Sequence, residues 1–415
     1  MIVTSRFRVL LHGQDVGILH RRGDHTQFVL DPDYWAQADR PILGLAFEDR
    51  PGERHAAALR LPPWFSNLLP EGPLREWIAQ ERHVSPQREA ELLAQVGHDL
   101  PGAVTVVPEP GDCPDCPDWP DPGTLRRPPG RQAPAQGRWR FSLAGVALKF
   151  SMLRQGDRLT LPATGHGGDW IVKLPDARHP RVPRNEYVTM LLARSAGIEV
   201  PEIRLCPRKD LPDLPSVSWP NDEDEAFVIR RFDRDDARRP VHMEDLAQVR
   251  GLWPEQKYTG TFETVASLIH RGRDRDSLHQ FVRRLAFCVL VGNGDAHLKN
   301  WSLLYEDPRV PRLSPAYDLV ATTAYTRDGD EPEDLGLKFC GSRRMESVTL
   351  ASFDQLERRL RLTGAGLRDT ALDAIERTLS AWPDHAHLLA DLPELNQAFD
   401  RRLRRNNPSL GITRY

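Results

Sequence analysis

The segment 292–300, with the sequence GNGDAHLKN, constrains the fold of this chain more than any other. It contains Asp295 and, five positions later, Asn300, and a second aspartate, Asp318, follows 23 positions after the first. In a protein-kinase catalytic loop, four residues separate the base from the metal-binding asparagine, and a later aspartate binds magnesium. The spacing therefore predicts phosphoryl transfer from ATP, with Asp295 as the base and Asn300 and Asp318 as Mg²⁺ ligands.

The surroundings of this segment favour a kinase C-lobe. Apolar residues recur at helical spacing across 278–290, which predicts a buried helix leading into the loop. Segments 301–305 and 312–314 are typical of two short strands, with a turn at Asp307 and Pro308 between them. Asn, Asp and Gly also build ordinary turns, so the Asp–Asn interval alone does not distinguish a catalytic loop from a turn.

A matching N-lobe strengthens the interpretation. Lys173 is a single lysine in the apolar strand 169–175, where a kinase places the ammonium group that binds ATP phosphates. Such a lysine needs a carboxylate partner, and Glu186, in the first turn of a helix predicted over 185–197, is the candidate. The alternative is an acid that only complements the helix dipole. The strand 225–234 suits the hinge that meets adenine through its backbone.

The segment 142–149 precedes the Lys173 strand, where a phosphate-covering loop belongs. Its only glycine is Gly145, which does not make a glycine-rich loop. From spacing alone, two strands joined by a turn are favoured here.

Taken in order, these segments resemble the HipA family of bacterial serine/threonine protein kinases. The resemblance rests on SLAG-x₃-K at 142–149, IVKLP at 171–175, NEY at 185–187, RFDR at 231–234, ED at 244–245, KY at 257–258, G-x-x-D-x-H-x-K-N at 292–300 and YDL at 317–319. FSNLLPEG at 65–72 and VGHDLPGAV at 96–104 are similar to the N-terminal subdomain of the family, so the resemblance runs nearly end to end.

The resemblance implies an α+β, bilobal protein-kinase-like fold with a small N-terminal α/β subdomain and a mainly helical C-lobe. It implies ATP and Mg²⁺ as cofactors, Asp295 as catalytic base, and Asn300 and Asp318 as metal ligands. The implied cofactor-binding residues are Lys173, Ser142, Ala144, Gly145, Arg230, Phe232, His297 and Lys299. The hinge departs from the best-studied type of the family at Arg230, where that type has an acid.

In the family, the segment matching 142–149 is a mobile phosphate loop, and the serine matching Ser142 is an autophosphorylation site that ejects the loop. Adding about two negative charges beside a bound triphosphate would repel it, so Ser142 is expected to be an off switch.

Partners follow from the resemblance. Family members are toxins of type II toxin–antitoxin systems that bind a dimeric, HipB-like helix-turn-helix antitoxin and reach operator DNA through it. The protein substrate in studied relatives is an aminoacyl-tRNA synthetase. A net charge of −3 gives this chain no general attraction to nucleic acid, and no helix-turn-helix is evident, so the antitoxin is expected to be a separate chain.

Composition agrees with a bacterial enzyme of 415 residues and 40% hydrophobic content. The sequence has no run of about 18 apolar residues and no signal peptide, which predicts a cytoplasmic protein without a membrane span. Five cysteines, an odd number, argue against a disulfide framework. Cys113 and Cys116 form a C-x-x-C pair, but no second ligand pair follows, so an accidental exposed pair is favoured over zinc.

The predicted domains are an N-terminal subdomain at 1–107, a Pro/Gly-rich linker at 108–137, a kinase N-lobe at 138–240 and a helical C-lobe at 241–415. Residues 7–19 alternate as a β-hairpin, and helices are expected at 73–78 and at 85–93, the latter with Ser85 as cap. The region 351–405 has helical spacing and a basic end, for which a solvated helix face is favoured over nucleic-acid contact.

Two other functions stay open at this point. The same Asp295, Asn300 and Asp318 would serve a kinase that phosphorylates a small molecule or lipid. A catalytically silent regulator that binds antitoxin is the other alternative, and the intact catalytic set together with Lys173 argues against it.

Overall fold

The computed structural model describes residues 4–109, 149–155, 158–160, 168–211, 214, 219–220, 222–326, 333–404 and 410. The N-terminal part is built on a five-stranded antiparallel sheet in the order β4-β3-β2-β1-β5. Its strands are β1 (Thr4–Leu11), β2 (Gln14–Arg22), β3 (His25–Leu30), β4 (His55–Ala58) and β5 (Val104–Glu109). The predicted hairpin is confirmed as β1 and β2.

Five helices accompany this sheet: α1 (Pro32–Ala36), α2 (Leu45–Asp49), α3 (Pro63–Ser66), α4 (Gly72–Glu81) and α5 (Glu89–Val96). The prediction that Ser85 caps a helix is wrong, because α5 begins only at Glu89. Arg75 donates from Nε to the carbonyl of Pro86 at 2.7 Å, and the amide of Arg88 donates to the carbonyl of Ser85 at 3.1 Å. These contacts hold the chain in a turn ahead of the helix.

The N-lobe contains a second antiparallel sheet in the order β7-β6-β8-β10-β9. Its strands are β6 (Lys149–Gln155), β7 (Arg158–Thr160), β8 (Trp170–Lys173), β9 (Ile203–Pro207) and β10 (Glu225–Arg230). Residues of β8 and β10 alternate between two cores, as the two-residue period of a strand requires. One face contributes to a small cluster around Trp170, and the other packs with α6 (Val182–Ser195) in the main core.

The C-lobe is mainly helical. A three-stranded sheet of β11 (His242–Asp245), β12 (Ser302–Asp307) and β13 (Val310–Leu313) lies in the order β11-β12-β13. Its helices are α7 (Leu246–Val249), α8 (Phe262–His270), α9 (Arg275–Val291), α10 (Leu350–Arg359), α11 (Leu367–His385) and α12 (Pro393–Leu403). The helix predicted over 278–290 is confirmed as α9, whose apolar stripe is buried in the main core. Across the described ranges, no helix combines the length and apolar character that a membrane crossing needs.

The basic end of α12 has a structural use. Arg402 donates to the carbonyl of Leu290 at 3.1 Å and to that of Val289 at 2.7 Å. These are C-terminal carbonyls of α9, which have no partner within their own helix. The expectation that the basic end of the helix faces solvent is therefore confirmed for Arg401 and Arg404, which are exposed, but not for Arg402.

The N-terminal part is joined to the hinge by buried ion pairs. Arg231 donates to Asp233 from Nε at 2.9 Å and from Nη2 at 2.7 Å, and its Nη1 lies 2.8 Å from Asp99. Arg234 contacts the same two carboxylates, and the amide of Gly102 donates to Asp233 at 2.8 Å. The RFDR segment, which follows β10, and the HDLPG segment, which precedes β5, thus form one network.

A buried carboxylate joins the N-terminal part to the C-lobe. Glu244 of β11 is fully buried and accepts hydrogen bonds from the Leu45 amide at 2.9 Å, Trp64 Nε1 at 3.1 Å and the Tyr305 hydroxyl at 2.6 Å. Burial raises its pKa to about 7 despite these donors. The N-terminal part is therefore packed against both lobes of the kinase core.

Candidate functional site

Lys173 at the end of β8 is placed as a kinase lysine. Its Nζ lies 2.6 Å from Oε1 of Glu186 and 2.7 Å from Oδ1 of Asp318. Burial alone would lower the pKa of Lys173, but the two carboxylates outweigh it and hold the pKa above its ordinary value. The lysine is therefore a fixed cation between the N-lobe helix and the predicted metal ligand.

Glu186 pairs with Lys173, although not from the first turn of its helix. Helix α6 begins at Val182, three residues before the predicted start, so Glu186 lies in the second turn. The dipole alternative therefore loses its basis, because the dipole acts within the first turn. Neighbouring Asn185 accepts from the amide of Ala321 at 3.0 Å and donates to its carbonyl at 3.1 Å. The same helix thus holds Lys173 and the chain just after Asp318.

The catalytic loop begins where α9 ends at Gly292, with φ of +79°. A Cβ at this position would lie 2.1 Å from Oγ1 of Thr323, so the left-handed turn requires glycine. After it, the amide of Gly294 donates to Oγ1 of Thr322 at 2.8 Å, and the amide of Asp295 donates to Oδ1 of Asn293 at 3.0 Å. These bonds fix the backbone around the predicted base.

Asp295 is buried with 4% exposure, and the hydroxyl of Tyr258 donates to its Oδ1 at 2.5 Å. Asn300 donates from Nδ2 to the carbonyl of Asp295 at 2.9 Å. The loop therefore folds back on itself so that Asp295 and Asn300 are adjacent. Tyr258 belongs to a motif that the resemblance included, but nothing in the sequence indicated its contact with the base.

Asp318 adopts a left-handed backbone conformation, with φ of +59°. Non-glycine residues rarely do so, and such strain concentrates at functional sites. Asp318 and Asn300 line the same cleft, and the Asn300 amide nitrogen is engaged by Asp295, which leaves the amide oxygen as the group suited to a cation. A carboxylate and an amide oxygen are hard ligands of the kind that Mg²⁺ prefers, so the residues present fit this ion.

A cleft of about 340 Å³ is lined by Lys173, Asn300 and Asp318, whereas Asp295 is not among its lining residues. Ile171, two residues before Lys173, and Phe232 after the hinge line it, and the Phe232 ring lies 5.4 Å from that of Tyr317. Arg230 also borders the cleft, but its guanidinium pairs at 2.7 Å with the exposed Asp236. The apolar walls suit a planar base, and the charged end suits phosphates.

His297 and Lys299 line the cleft as well. His297 is 1% exposed, and burial, followed by the charge of Lys257, lowers its pKa to about 3, so it is neutral at physiological pH. Lys299 contacts mainly the N-terminal part. Its Nζ donates to the carbonyl of Asn67 at 3.0 Å and to Oδ1 of Asn67 at 3.1 Å, and it lies 2.8 Å from Oε1 of Glu71. Asn67 and Glu71 belong to the FSNLLPEG motif that the resemblance included, but no pattern in the sequence indicated that they contact Lys299.

Ser142, Ala144 and Gly145 lie outside the described residues, as do Cys113 and Cys116. The strand that follows the predicted phosphate loop, β6, begins at Lys149 and pairs with β8, with Lys149 opposite Lys173.

The comparisons with known proteins agree with this architecture. The HipA N-terminal domain model matches residues 7–107, and the HipA-like C-terminal domain model matches residues 141–385. A Sinorhizobium fredii protein that bears the name "Putative kinase Y4dM" is 39% identical over 383 residues, which cover 90% of each chain. The serine/threonine-protein kinase toxin HipA of Shewanella oneidensis is 26% identical over 328 residues, covering 70% of this chain and 69% of that protein.

A solved structure of the Shewanella oneidensis HipA, HipB and operator DNA complex contains a chain with the same fold. The TM-score is 0.71 at 21% identity, with 96% of this chain and 97% of that chain covered. The predicted α+β kinase-like fold is therefore confirmed. Matched along both its N-terminal and its C-terminal domain, this chain belongs to the HipA family of kinases.

Proposed function

We propose that this chain is an ATP- and Mg²⁺-dependent serine/threonine protein kinase that acts as the toxin of a type II toxin–antitoxin system. The observation that carries the proposal is the contact of Lys173 with both Glu186 and Asp318, in the cleft that Asn300 also lines. A lysine paired with a helix carboxylate, beside an aspartate that can hold Mg²⁺, is the arrangement of a protein-kinase site.

Each residue has a role in this proposal. Lys173 binds and orients the phosphates of ATP, and Asp318 and Asn300 hold Mg²⁺, which neutralises charge on the transferred group. Asp295 accepts the proton of the acceptor hydroxyl, and Tyr258 keeps its carboxylate in place through the 2.5 Å hydrogen bond. Phe232, Arg230 and Ile171 border the space for the adenine base, and neutral His297 also lines the cleft.

The proposal includes Ser142 as the site of inactivating autophosphorylation, with Ala144 and Gly145 in the same phosphate loop. Two observations support it: the SLAG-x₃-K motif, and the pairing of Lys149, the last residue of that motif, with Lys173. About two negative charges added to a serine beside the bound phosphates would repel them.

The proposed partners are a HipB-like antitoxin and, through it, operator DNA. The similar fold of the HipA chain in the HipA, HipB and operator DNA complex supports this assignment. The proposed substrate is a protein of the translation machinery such as an aminoacyl-tRNA synthetase.

The decisive experiment is phosphoproteomics of cells in which the wild type or Asp295→Ala is induced, with Asp384→Ala on the exposed face of α11 as a matched control. We expect new phosphoserine or phosphothreonine sites with the wild type and with Asp384→Ala, and none with Asp295→Ala. Absence of new sites with the wild type would refute the kinase proposal. Unchanged phosphorylation by Asp295→Ala would refute the assignment of the base.

A further inference from the structure

The catalytic cleft has a wall that the two kinase lobes do not supply. Leu68, Leu69, Glu71 and Leu74, all from the N-terminal part, line the same 340 Å³ cleft as Lys173 and Asp318. The three leucines of this wall need no explanation beyond hydrophobic packing. Glu71 is different, because its carboxylate is the charged group of the N-terminal part that reaches two cleft lysines.

Glu71 contacts both lysines that flank the catalytic residues. Its Oε2 lies 3.1 Å from Nζ of Lys257, and its Oε1 lies 2.8 Å from Nζ of Lys299. Both ammonium groups are largely buried, with side chains 9% and 14% exposed. Two buried cations at one place repel each other unless carboxylates neutralise them. Asp245 lies 3.5 Å from Nζ of Lys299, but Glu71 contacts both lysines.

The two lysines are directly linked to the reacting groups. Lys257 precedes Tyr258, whose hydroxyl donates to Asp295, and the carbonyl of Lys257 accepts from the amide of Leu298 in the catalytic loop at 3.0 Å. Lys299 precedes Asn300, the proposed Mg²⁺ ligand. One carboxylate therefore holds the neighbours of the base-positioning tyrosine and of the metal ligand.

We propose that Glu71, supplied by the N-terminal subdomain, is a positioning residue for phosphoryl transfer that aligns Asp295 and Asn300 through Lys257 and Lys299. The inference rests on the proposed kinase function. It assigns the N-terminal subdomain a part in the chemistry, because the catalytic loop takes its geometry from a residue outside both kinase lobes.

The test compares Glu71→Gln and Glu71→Asp in the full chain, with Mg·ATP as the probe and phosphate release and autophosphorylation as readouts. Glu71→Gln keeps the shape of the side chain but removes its charge. We expect kcat to fall about 10- to 100-fold, because a small misplacement of the reacting groups has an effect of this size. KM for ATP should change less than about threefold. Glu71→Asp keeps the charge and is expected to recover most of the lost kcat. A purely packing role would not produce recovery by the smaller side chain.

Glu255→Gln is the matched control. Glu255 also pairs across the boundary with the N-terminal part, with Oε2 at 2.7 Å from Nη1 of Arg60, but it does not line the cleft. We expect its kcat to equal that of the wild type. Given an active wild type, three results would each overturn the inference. The first is a kcat of Glu71→Gln within twofold of the wild-type value. The second is a loss of kcat in Glu255→Gln as large as that in Glu71→Gln, and the third is a higher KM of Glu71→Gln at unchanged kcat.

If Glu71→Gln does not fold, Lys257→Gln removes one of the two contacts of Glu71, the one next to Tyr258, and is expected to lower kcat as well. An unchanged kcat in that variant would overturn the inference. A wild type that neither binds nor turns over Mg·ATP would instead refute the proposed function itself, so the two failures are distinguishable.

Discussion

Replacing Glu244 with glutamine tests whether the buried carboxyl group that joins the N-terminal part to the C-lobe costs stability when it is ionised. Its three contacts are donors from Leu45, Trp64 and Tyr305, and none of them is a cation. The variant removes the ionisable group and one acceptor, while it keeps the size of the side chain. Its effect on stability should therefore depend on pH.

The magnitude follows from the pKa of Glu244, which is raised from 4.5 to about 7. Below about pH 4.5 the carboxyl is protonated in both folded and unfolded chains. Between about pH 4.5 and 7 the folded protein retains a proton that the unfolded chain releases, so wild-type stability falls as the pH rises through this window. A difference of about 2.5 pKa units corresponds to about 3 kcal/mol, lost in full above pH 7.

The assay is urea unfolding of wild type and Glu244→Gln at pH 5 and pH 8, followed by tryptophan fluorescence. We expect the variant to gain about 2.5 kcal/mol relative to the wild type between these pH values, because glutamine has no proton to release and a small part of the loss has already occurred at pH 5. Glu89→Gln is the control, since Glu89 is equally buried but contacts Arg60 and Arg75, and its loss should destabilise at both pH values. A free-energy difference between Glu244→Gln and wild type that does not change with pH would refute the reasoning.

Three further predictions concern the site and the hinge. Lys173→Met should lower phosphate transfer from Mg·ATP by about 100-fold or more, measured with radiolabelled ATP, because it removes the cation between Glu186 and Asp318. Tyr258→Phe should lower kcat about tenfold with unchanged ATP affinity by calorimetry, because a charge-assisted hydrogen bond to the base, worth about 1.5–3 kcal/mol, is lost; an unchanged kcat would contradict its role. Gly102→Ala should destabilise by about 1–3 kcal/mol in thermal unfolding, because φ is +76° and a Cβ would lie 2.7 Å from the amide nitrogen of Met243.

The parts of the site that sequence predicted are those fixed by local chain geometry. The apolar period of α9, the turn after it and the interval from Asp295 to Asn300 are all encoded within about thirty residues, and the structure brings them together as expected. Lys173 and Glu186 were also found, because one strand and the following helix carry them.

The wall from the N-terminal part could not be predicted in this way. Lys299 contacts Asn67 across 232 positions and Lys257 contacts Glu71 across 186, and such contacts leave no periodicity in either segment. The errors at Ser85 and at the start of α6 have a related cause. The start of α5 depends on the turn to which Arg75 contributes, and α6 begins after Arg181, whose left-handed conformation no capping pattern indicates.

The network of Arg231, Asp233, Asp99, Arg234 and Gly102 bears on how the enzyme exchanges nucleotide. Kinases commonly admit ATP by rotating one lobe against the other about the hinge. Here buried ion pairs bind the hinge to the N-terminal part. Contacts of Glu244 and Glu71 bind that same part to the C-lobe. Lobe rotation would have to break these contacts together. Opening the cleft by such a rotation would therefore cost the contacts of the N-terminal part with both lobes, and the same part also lines the cleft.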